Sequence, residues 1–472
     1  MTTSLYALPP ALEAQLLTQL PAGTLSFDPA DLVLWGRDWT RVHPPAPAAV
    51  AWPRSAEEVS LLLRLCHEHR VPVVPSGGRT GLAGGAVAAR GELVLSLSRM
   101  NQLGPIDTVA ETVRVEAGAV TQAVHEHAAR VGLSWPIDLA SRGSCQIGGN
   151  IATNAGGVRV LRYGPTRHWV LGLEVVTAQG TLLQLGGALH KDNTGLDLRQ
   201  LFIGSEGTLG VITAATLKLC KAPESMDVLL LQVADLPAVL RLLGAARQGP
   251  FSLLAFEYMA RACIERVCQH RGLRHPLGGD RGGCYVLLEV ERPAGGTQQV
   301  LAGWLEQVLS QGLVQDGVLA TSQRQAQELW ALREGISETL GTTGLPHKND
   351  VALPLSALPA FVDALEALFA QRYPGWEVFT FGHVGDGNLH INVMKPPDMD
   401  PATFYQHTQQ VDHDLFRLVA RHGGSISAEH GIGLLKKAYL SYARSPAEIA
   451  LMRAVKQALD PHGILNPGKI FD

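Results

Sequence analysis

A chain of 472 residues is longer than one hydrophobic core usually supports, so two or more domains are expected. Its 39 basic and 43 acidic residues leave a net charge of −4, which gives no reason to propose nucleic acid or an anionic membrane as a partner. Hydrophobic content of 46% with 17% charged residues is that of an ordinary soluble globular protein.

Residues 1–21 lack a basic region followed by a continuous apolar core, and no apolar run approaches ~18–20 residues. Neither a signal peptide nor a spanning helix is therefore expected. The six cysteines form no Cys-x-x-Cys pair, so neither an iron–sulfur cluster nor a zinc ribbon is encoded. A reduced, cytoplasmic chain fits this usage.

Residues 1–45 read as an N-terminal segment with a helix at 12–20 and then a proline-rich approach. At Ser55-Ala56-Glu57-Glu58 a capping box opens a helix with Val59, Leu62, Leu63 and Cys66 on one face. Its end, Cys66-His67-Glu68-His69, carries many ligand types. Histidines two apart do not share a helix face, however, so this reads as a solvated helix end. A strand at 71–75 runs into Ser76-Gly77-Gly78-Arg79-Thr80-Gly81-Leu82-Ala83-Gly84-Gly85. A strand followed by a glycine-rich turn suits a nest of backbone amides for an anion, although a structural turn accounts for the same residues. The spelling is neither that of a Rossmann loop nor that of a P-loop.

Strands at 93–97 and 112–117 follow, with a helix at 121–131 whose His125 and His127 read as surface residues. A second loop runs from Gly143-Ser144-Cys145-Gln146-Ile147-Gly148-Gly149-Asn150 to Gly157. After strands at 173–177 and 181–185 comes a third, Gly204-Ser205-Glu206-Gly207-Thr208-Leu209-Gly210. The chain holds 50 glycines, above the usual ~7%, and they cluster in a few loops. Three such loops, each following a strand, favour a large phosphorylated cofactor.

From about residue 221 the pattern changes. Strands at 228–233, 252–258 and 285–290 alternate with helices around 239–243 and 297–311, which suggests an antiparallel sheet with helices on one face. Cys263, Cys268, His270 and His275 match no zinc-finger spacing. A helix at 323–340 carries Arg333, and Pro346-His347-Lys348-Asn349-Asp350 follows it. In Phe381-Gly382-His383-Val384-Gly385-Asp386-Gly387-Asn388-Leu389-His390-Ile391-Asn392, the pair Asp386-Gly387 favours a two-residue hairpin turn. That register sets His383 opposite His390, with Cβ atoms roughly 4.5–5.5 Å apart, and puts Asn392 on the same face. The two imidazoles either share a metal ion or are simply half-buried. Ser427-Ala428-Glu429-His430-Gly431-Ile432-Gly433 supplies an adjacent carboxylate and imidazole. Two His and one Glu with an open position form a donor set used by catalytic zinc, leaving His430 as a proton acceptor.

The three loops, with the terminal Leu465-Asn466-Pro467-Gly468-Lys469, resemble the flavin-binding domain of the vanillyl-alcohol-oxidase and p-cresol-methylhydroxylase type. The His383–His390 and Glu429–Gly433 motifs resemble the D-2-hydroxyacid dehydrogenase branch of that group. The resemblance covers about residues 45–472, and the first forty or so residues add nothing to it. It implies an α+β chain: a two-part FAD-binding domain at 46–220, an α/β cap domain with an antiparallel sheet at 221–425, and a helical segment at 426–472 returning to the FAD domain.

The resemblance also implies roles. FAD pyrophosphate would lie against the amides of Ser76, Gly77, Gly78, Thr80 and Gly81. Arg79 stands where covalently flavinylated members carry a histidine, so the FAD would be dissociable. Pro136, Ser144, Gly148, Asn150, Asn154, Glu206, Ile212 and Asn466 would hold the rest of the cofactor. His383, His390 and Glu429 would ligate zinc, or manganese or iron. Arg333 and Ser337 would bind the carboxylate beside the reacting carbon, Lys348 a distal carboxylate, and Asn392 would orient the substrate or a ligand. Asn349 and Ala352 depart from the commoner spelling around Lys348.

The reaction implied is oxidation of a D-2-hydroxy acid, D-2-hydroxyglutarate first, to the 2-oxo acid. His430 would take a proton while hydride passes to flavin N5. Electrons would go on to electron-transfer flavoprotein, a quinone or a cytochrome, and the protein would be cytoplasmic or peripheral to the membrane through that acceptor. A homodimer is common in the family. D-lactate dehydrogenation, or the flavoprotein subunit of glycolate oxidase, is the alternative. Readings from other classes are a zinc hydrolase with the same ligands and a flavin-bound scaffold subunit.

Overall fold

Short apolar runs punctuated by Gly, Pro and Asp give the first part of the chain many brief strands. The computed structural model describes residues 6–40, 42–277 and 282–472. Two units emerge: Met1–Gly157, Pro165–Ala222 and Glu429–Asp472 make up the first, and Val158–Gly164 with Pro223–Ala428 the second.

In the first unit, β1 (Leu25–Ser26), β2 (Ala49–Ala51), β3 (Val73–Ser76) and β4 (Leu93–Ser96) form a sheet in the order β1-β2-β4-β3. β2 and β3 both run parallel to β4, and β2 and β4 are buried throughout, as parallel strands covered on both faces are. The helix Ala56–His69 makes the crossover, its first turn capped by the Ser55 hydroxyl, which accepts from the Glu58 amide. A second sheet is antiparallel. Next in the chain come β5 (Leu103–Asp107), β6 (Thr112–Glu116), β7 (Leu133–Ser134), β8 (Val170–Val176), β9 (Leu182–Gly186), β10 (Val211–Lys218) and β11 (Cys220–Lys221). The sheet order is β5-β6-β10-β8-β9, while β7 pairs with β11 alone.

The N-terminal segment is built into this unit. Helix Pro10–Gln19 buries Leu12 and Leu16, and β1 adds an antiparallel edge strand to the first sheet. Trp35, at the end of helix Pro29–Trp35, meets Trp52 edge to face at 5.6 Å. His125 and His127 are not simple surface residues. Each is half-buried and bonded to a backbone carbonyl, of Ile137 and Gly104 respectively.

The second unit is one antiparallel sheet of β12 (Met226–Val233), β13 (Ser252–Ala260), β14 (Cys284–Glu291), β15 (Asp316–Leu319), β16 (Pro346–Ala352), β17 (Val378–Gly382) and β18 (Asn388–Met394). Its order is β15-β12-β14-β13-β17-β18-β16. Helices cover both faces, not the single face expected. On one, helices Arg261–Arg271 and Gln323–Thr343 pack Ile264, Val267, Leu332 and Ile336 on Met259, Leu287, Phe379 and Phe381. On the other, Asp412 of helix Pro401–Arg421 meets His347 at 2.6 Å and Asn349 at 3.1 Å. Cys263 and Cys268 belong to the first of these apolar layers, and burial pushes the Cys263 thiol up to about 12. Among the described residues, no helix is long and apolar enough to cross a membrane.

Candidate active site

The glycine-rich loops of the first unit line a cleft of about 960 Å³. Loop one leaves β3 at Ser76, and its amides from Gly77 to Gly81 donate to no protein acceptor among the described residues. Arg79 sits among them in the left-handed region, at φ 56°, which turns successive amides toward one side. The Arg79 guanidinium lies over Trp35, its Cζ 3.8 Å from the ring centroid, so the N-terminal segment braces this loop. A Cβ on Gly78 would strike the Ser144 carbonyl, which is how the first two loops come so close.

Several observations show that the cleft fits a flavin dinucleotide. Ser76 Oγ and Gln146 Oε1 are buried, line the wall and have no hydrogen-bond partner among the described residues. At Gly81 and Gly149, also on the wall, a Cβ would meet nothing within 4 Å, so the missing side chains leave space for a ligand. Of the expected contacts, Ser76, Gly77, Gly78, Arg79, Thr80, Gly81, Gly148, Asn150, Glu206 and Ile212 line the cleft.

Four expected residues do not appear in that wall. Pro136 is buried, whereas the Ser144 side chain is exposed. Asn154 spends its side-chain oxygen on the Arg167 amide. Asn466 donates to the carbonyls of Gly85 and Glu206, at 2.9 and 2.7 Å, and so buckles loops one and three together from behind.

Glu206 does more than line the cleft. Its Oε1 accepts from the Ile432 amide and its Oε2 from the Gly433 amide, both at 2.8 Å. Burial pushes its pKa up, and the two amides oppose that shift. The segment Glu429–Gly433 is thereby pinned to the third loop, with His430 on the cleft wall.

In the second unit, the hairpin joining β17 and β18 is longer than the two-residue form expected. His390 faces Phe381, not His383. Val384–Asp386 forms a single 3-10 turn, closed by Asp386 N donating to His383 O at 3.0 Å, with Gly387 in the left-handed region at φ 88°. The Asp386 carboxylate takes the Asn388 amide at 3.2 Å, a local bond that favours this wider turn. Pairing moves by two residues, which preserves the face. The His383 and His390 rings are still neighbours, 5.3 Å between centroids and nearly perpendicular at 83°.

Both imidazoles are held by buried carboxylates. His383 Nδ1 lies 2.6 Å from Glu257 Oε1, and His390 Nδ1 lies 3.3 Å from Asp350 Oδ1. A histidine that donates Nδ1–H to a carboxylate has Nε2 left for a metal, the usual arrangement of imidazole ligands. Burial holds His390 at about 4 despite Asp350, so its ring is neutral near pH 7, as ligation requires. Glu257 also accepts from Arg333 Nε at 2.8 Å. Burial alone would raise Glu257, but His383 and Arg333 outweigh it and hold the carboxyl at about 2.

Cross-strand pairing sets Lys348 against Asn392 and Asp350 against His390. The Lys348 ammonium makes no hydrogen bond or ion pair among the described residues, and Asn392 Nδ2 is buried without an acceptor there. Arg333 is buried, while Ser337 on the same helix is exposed. Glu257 and Asp350 were not among the expected site residues. The signal for Glu257 was present: it interrupts an otherwise apolar strand, where a buried charge needs a partner, whereas Asp350 follows the polar run His347-Lys348-Asn349 and nothing marked it out.

These elements define the p-cresol-methylhydroxylase type of flavoprotein fold. The chain matches p-cresol methylhydroxylase with a TM-score of 0.76 at 17% identity, over 98% of this chain and 96% of that one. It matches alkyldihydroxyacetonephosphate synthase with a TM-score of 0.75 at 18% identity, over 98% and 86%. Residues 47–186 match the FAD binding domain family, and residues 222–470 match the family described as FAD linked oxidases, C-terminal domain. Over 453 residues the chain is 49% identical to D-2-hydroxyglutarate dehydrogenase of Xanthomonas citri pv. viticola, covering 96% of this chain and 95% of that one. Identity is 44% over 464 residues with the Stutzerimonas stutzeri enzyme of the same name, covering 98% and 99%. For the mitochondrial enzyme of Bos taurus it is 41% over 457 residues, covering 96% and 82%. The chain belongs to the FAD-linked D-2-hydroxyacid dehydrogenase family and is an FAD-dependent dehydrogenase acting on a hydroxy acid.

Proposed function

We propose that this chain oxidises D-2-hydroxyglutarate to 2-oxoglutarate with dissociable FAD and a divalent cation. The cation is zinc before manganese or iron, and the electrons go to an external acceptor such as electron-transfer flavoprotein, a quinone or a cytochrome. The observation that carries the substrate choice is the pair of unanswered donors, Lys348 Nζ and Asn392 Nδ2, opposite each other on one sheet face. A second carboxylate answers both, whereas lactate or glycolate leaves them without an acceptor. Arg333 keeps its two terminal nitrogens for the carboxylate beside C2, since only Nε is committed to Glu257. Ser337 would add a hydroxyl to the same group. The names of the bacterial and mitochondrial relatives support the same diacid.

His383 and His390 offer Nε2 to the cation, and Glu429 is assigned as third ligand from its sequence motif. When bound, the cation acts as a Lewis acid that lowers the pKa of the substrate hydroxyl. His430 accepts the hydroxyl proton, an imidazole being suited to that transfer near neutral pH. FAD, when bound, supplies the two-electron acceptor for the hydride lost from C2.

Anaerobic flavin bleaching by a panel of hydroxy acids tests this reading. D-2-hydroxyglutarate is expected to bleach the flavin fastest, with its L-enantiomer inert. Faster bleaching by D-lactate or glycolate would sink the diacid assignment.

A further inference from the structure

Glu257 is wholly buried in the middle of β13, a strand already paired on both sides, to β14 and β17. An apolar side chain would fill that position without the desolvation cost that a carboxylate carries. Its two oxygens instead go to side chains from two different elements: Oε1 to His383 Nδ1 at 2.6 Å and Oε2 to Arg333 Nε at 2.8 Å. Arg333 comes from the helix Gln323–Thr343, and His383 from the end of β17. The Arg333 guanidinium also lies over Phe381, 4.9 Å from the ring centroid, so its plane is fixed from a second direction.

We propose that Glu257 is a positioning residue that serves two subsites at once. It holds the His383 ring with the proton on Nδ1, which turns Nε2 to the cation. It also holds the Arg333 fork so that the terminal nitrogens meet the substrate carboxylate. The inference rests on the reading of His383 as a metal ligand and Arg333 as the carboxylate binder. One rigid carboxylate then sets the separation between cation and guanidinium, the two groups that grip opposite ends of the hydroxy-acid head. Loss of it weakens both grips together. A residue that only neutralised Arg333 would affect the substrate grip alone.

The test measures zinc affinity of the FAD-loaded protein by competition with a chromophoric chelator, together with KM for D-2-hydroxyglutarate. Glu257→Gln is expected to keep its flavin, to lose about 10–100-fold in zinc affinity, and to raise KM by roughly tenfold or more. Because Glu257→Gln leaves a buried guanidinium unpaired, the same change is also made in an Arg333→Met background. There, zinc affinity is again expected to fall relative to Arg333→Met alone. Unchanged zinc affinity in both comparisons overturns the proposal. His383→Ala separates the two levels of failure. If it binds zinc as the parent does, His383 is no ligand, and the underlying reading falls together with the proposal. If it loses zinc while the Glu257 variants keep it, only the role of Glu257 falls.

Discussion

The carboxylate of Glu206 accepts the amide of Gly433 at 2.8 Å, and with its other oxygen the neighbouring amide of Ile432. Glu206 itself is held in the left-handed region at φ 53°, and its backbone amide donates to Ala152 on the second loop. One residue thus fixes the segment bearing His430 against the flavin cleft, and a Cβ on Gly431 would sit only 2.8 Å from its Oε1.

Glu206→Gln should therefore act on turnover more than on flavin binding. The amide side chain keeps one acceptor but presents an NH₂ to the second backbone N–H, so the His430 segment shifts. A displacement of about 1 Å in a proton acceptor is enough for roughly 10²-fold in rate. Flavin content per chain and kcat, measured on the same preparation, check this. Near-normal kcat with full flavin would refute the clamp.

Lys348→Ala removes the exposed one of the two unanswered donors. A hydrogen bond to a charged group contributes about 1.5–3 kcal/mol, so kcat/KM for D-2-hydroxyglutarate should fall roughly 10–100-fold. D-lactate, with no second carboxylate, should be turned over as before. Equal losses on both substrates would place Lys348 outside the substrate's reach.

Much of this site could be read from residue types alone. Glycine-rich loops after strands announce themselves because only small residues tolerate the close approach seen at Gly78 and the positive φ at Gly207. The shared face of His383, His390 and Asn392 was legible because strand side chains alternate with a period of two. The register was not, since it depended on a bond between the Asp386 carboxylate and the Asn388 amide that forms only once the turn exists. Helices on both faces of the second sheet were equally hidden. In β12 and β14 nearly every residue is buried, so no alternation marks a solvent side. The bracing of Arg79 by Trp35 was out of reach for another reason: it joins residues far apart in the chain, and neither looks special alone.

His430→Asn keeps a polar side chain of similar reach but removes the proton acceptor proposed above. General base catalysis contributes about 10²–10⁴-fold, so kcat should fall by that factor while bound flavin and metal stay at parental levels. Flavin absorbance, metal content and stopped-flow flavin reduction together check it. Reduction at the parental rate would remove His430 from the proton transfer.

Lys469 gives a pH dependence of stability whose sign can be worked out. Its ammonium is buried, donates to the Val87 carbonyl at 2.8 Å, and is lowered to about 8, chiefly by burial, with Glu92 opposing. An unfolded lysine titrates near ~10.4. Between those values the unfolded chain binds more protons than the folded one, so stability rises with pH across about 8 to 10.4. Below about 8 both states are protonated and the full penalty, on the order of 3 kcal/mol, is present. Lys469→Met removes that penalty but leaves the Val87 carbonyl without its donor, a loss of about 1–3 kcal/mol. The Tm difference between Lys469→Met and the parent should therefore favour the variant more at pH 7.5 than at pH 9.5, other alkaline effects cancelling in the difference. The same difference at both pH values would show that Lys469 titrates as it does in the unfolded chain.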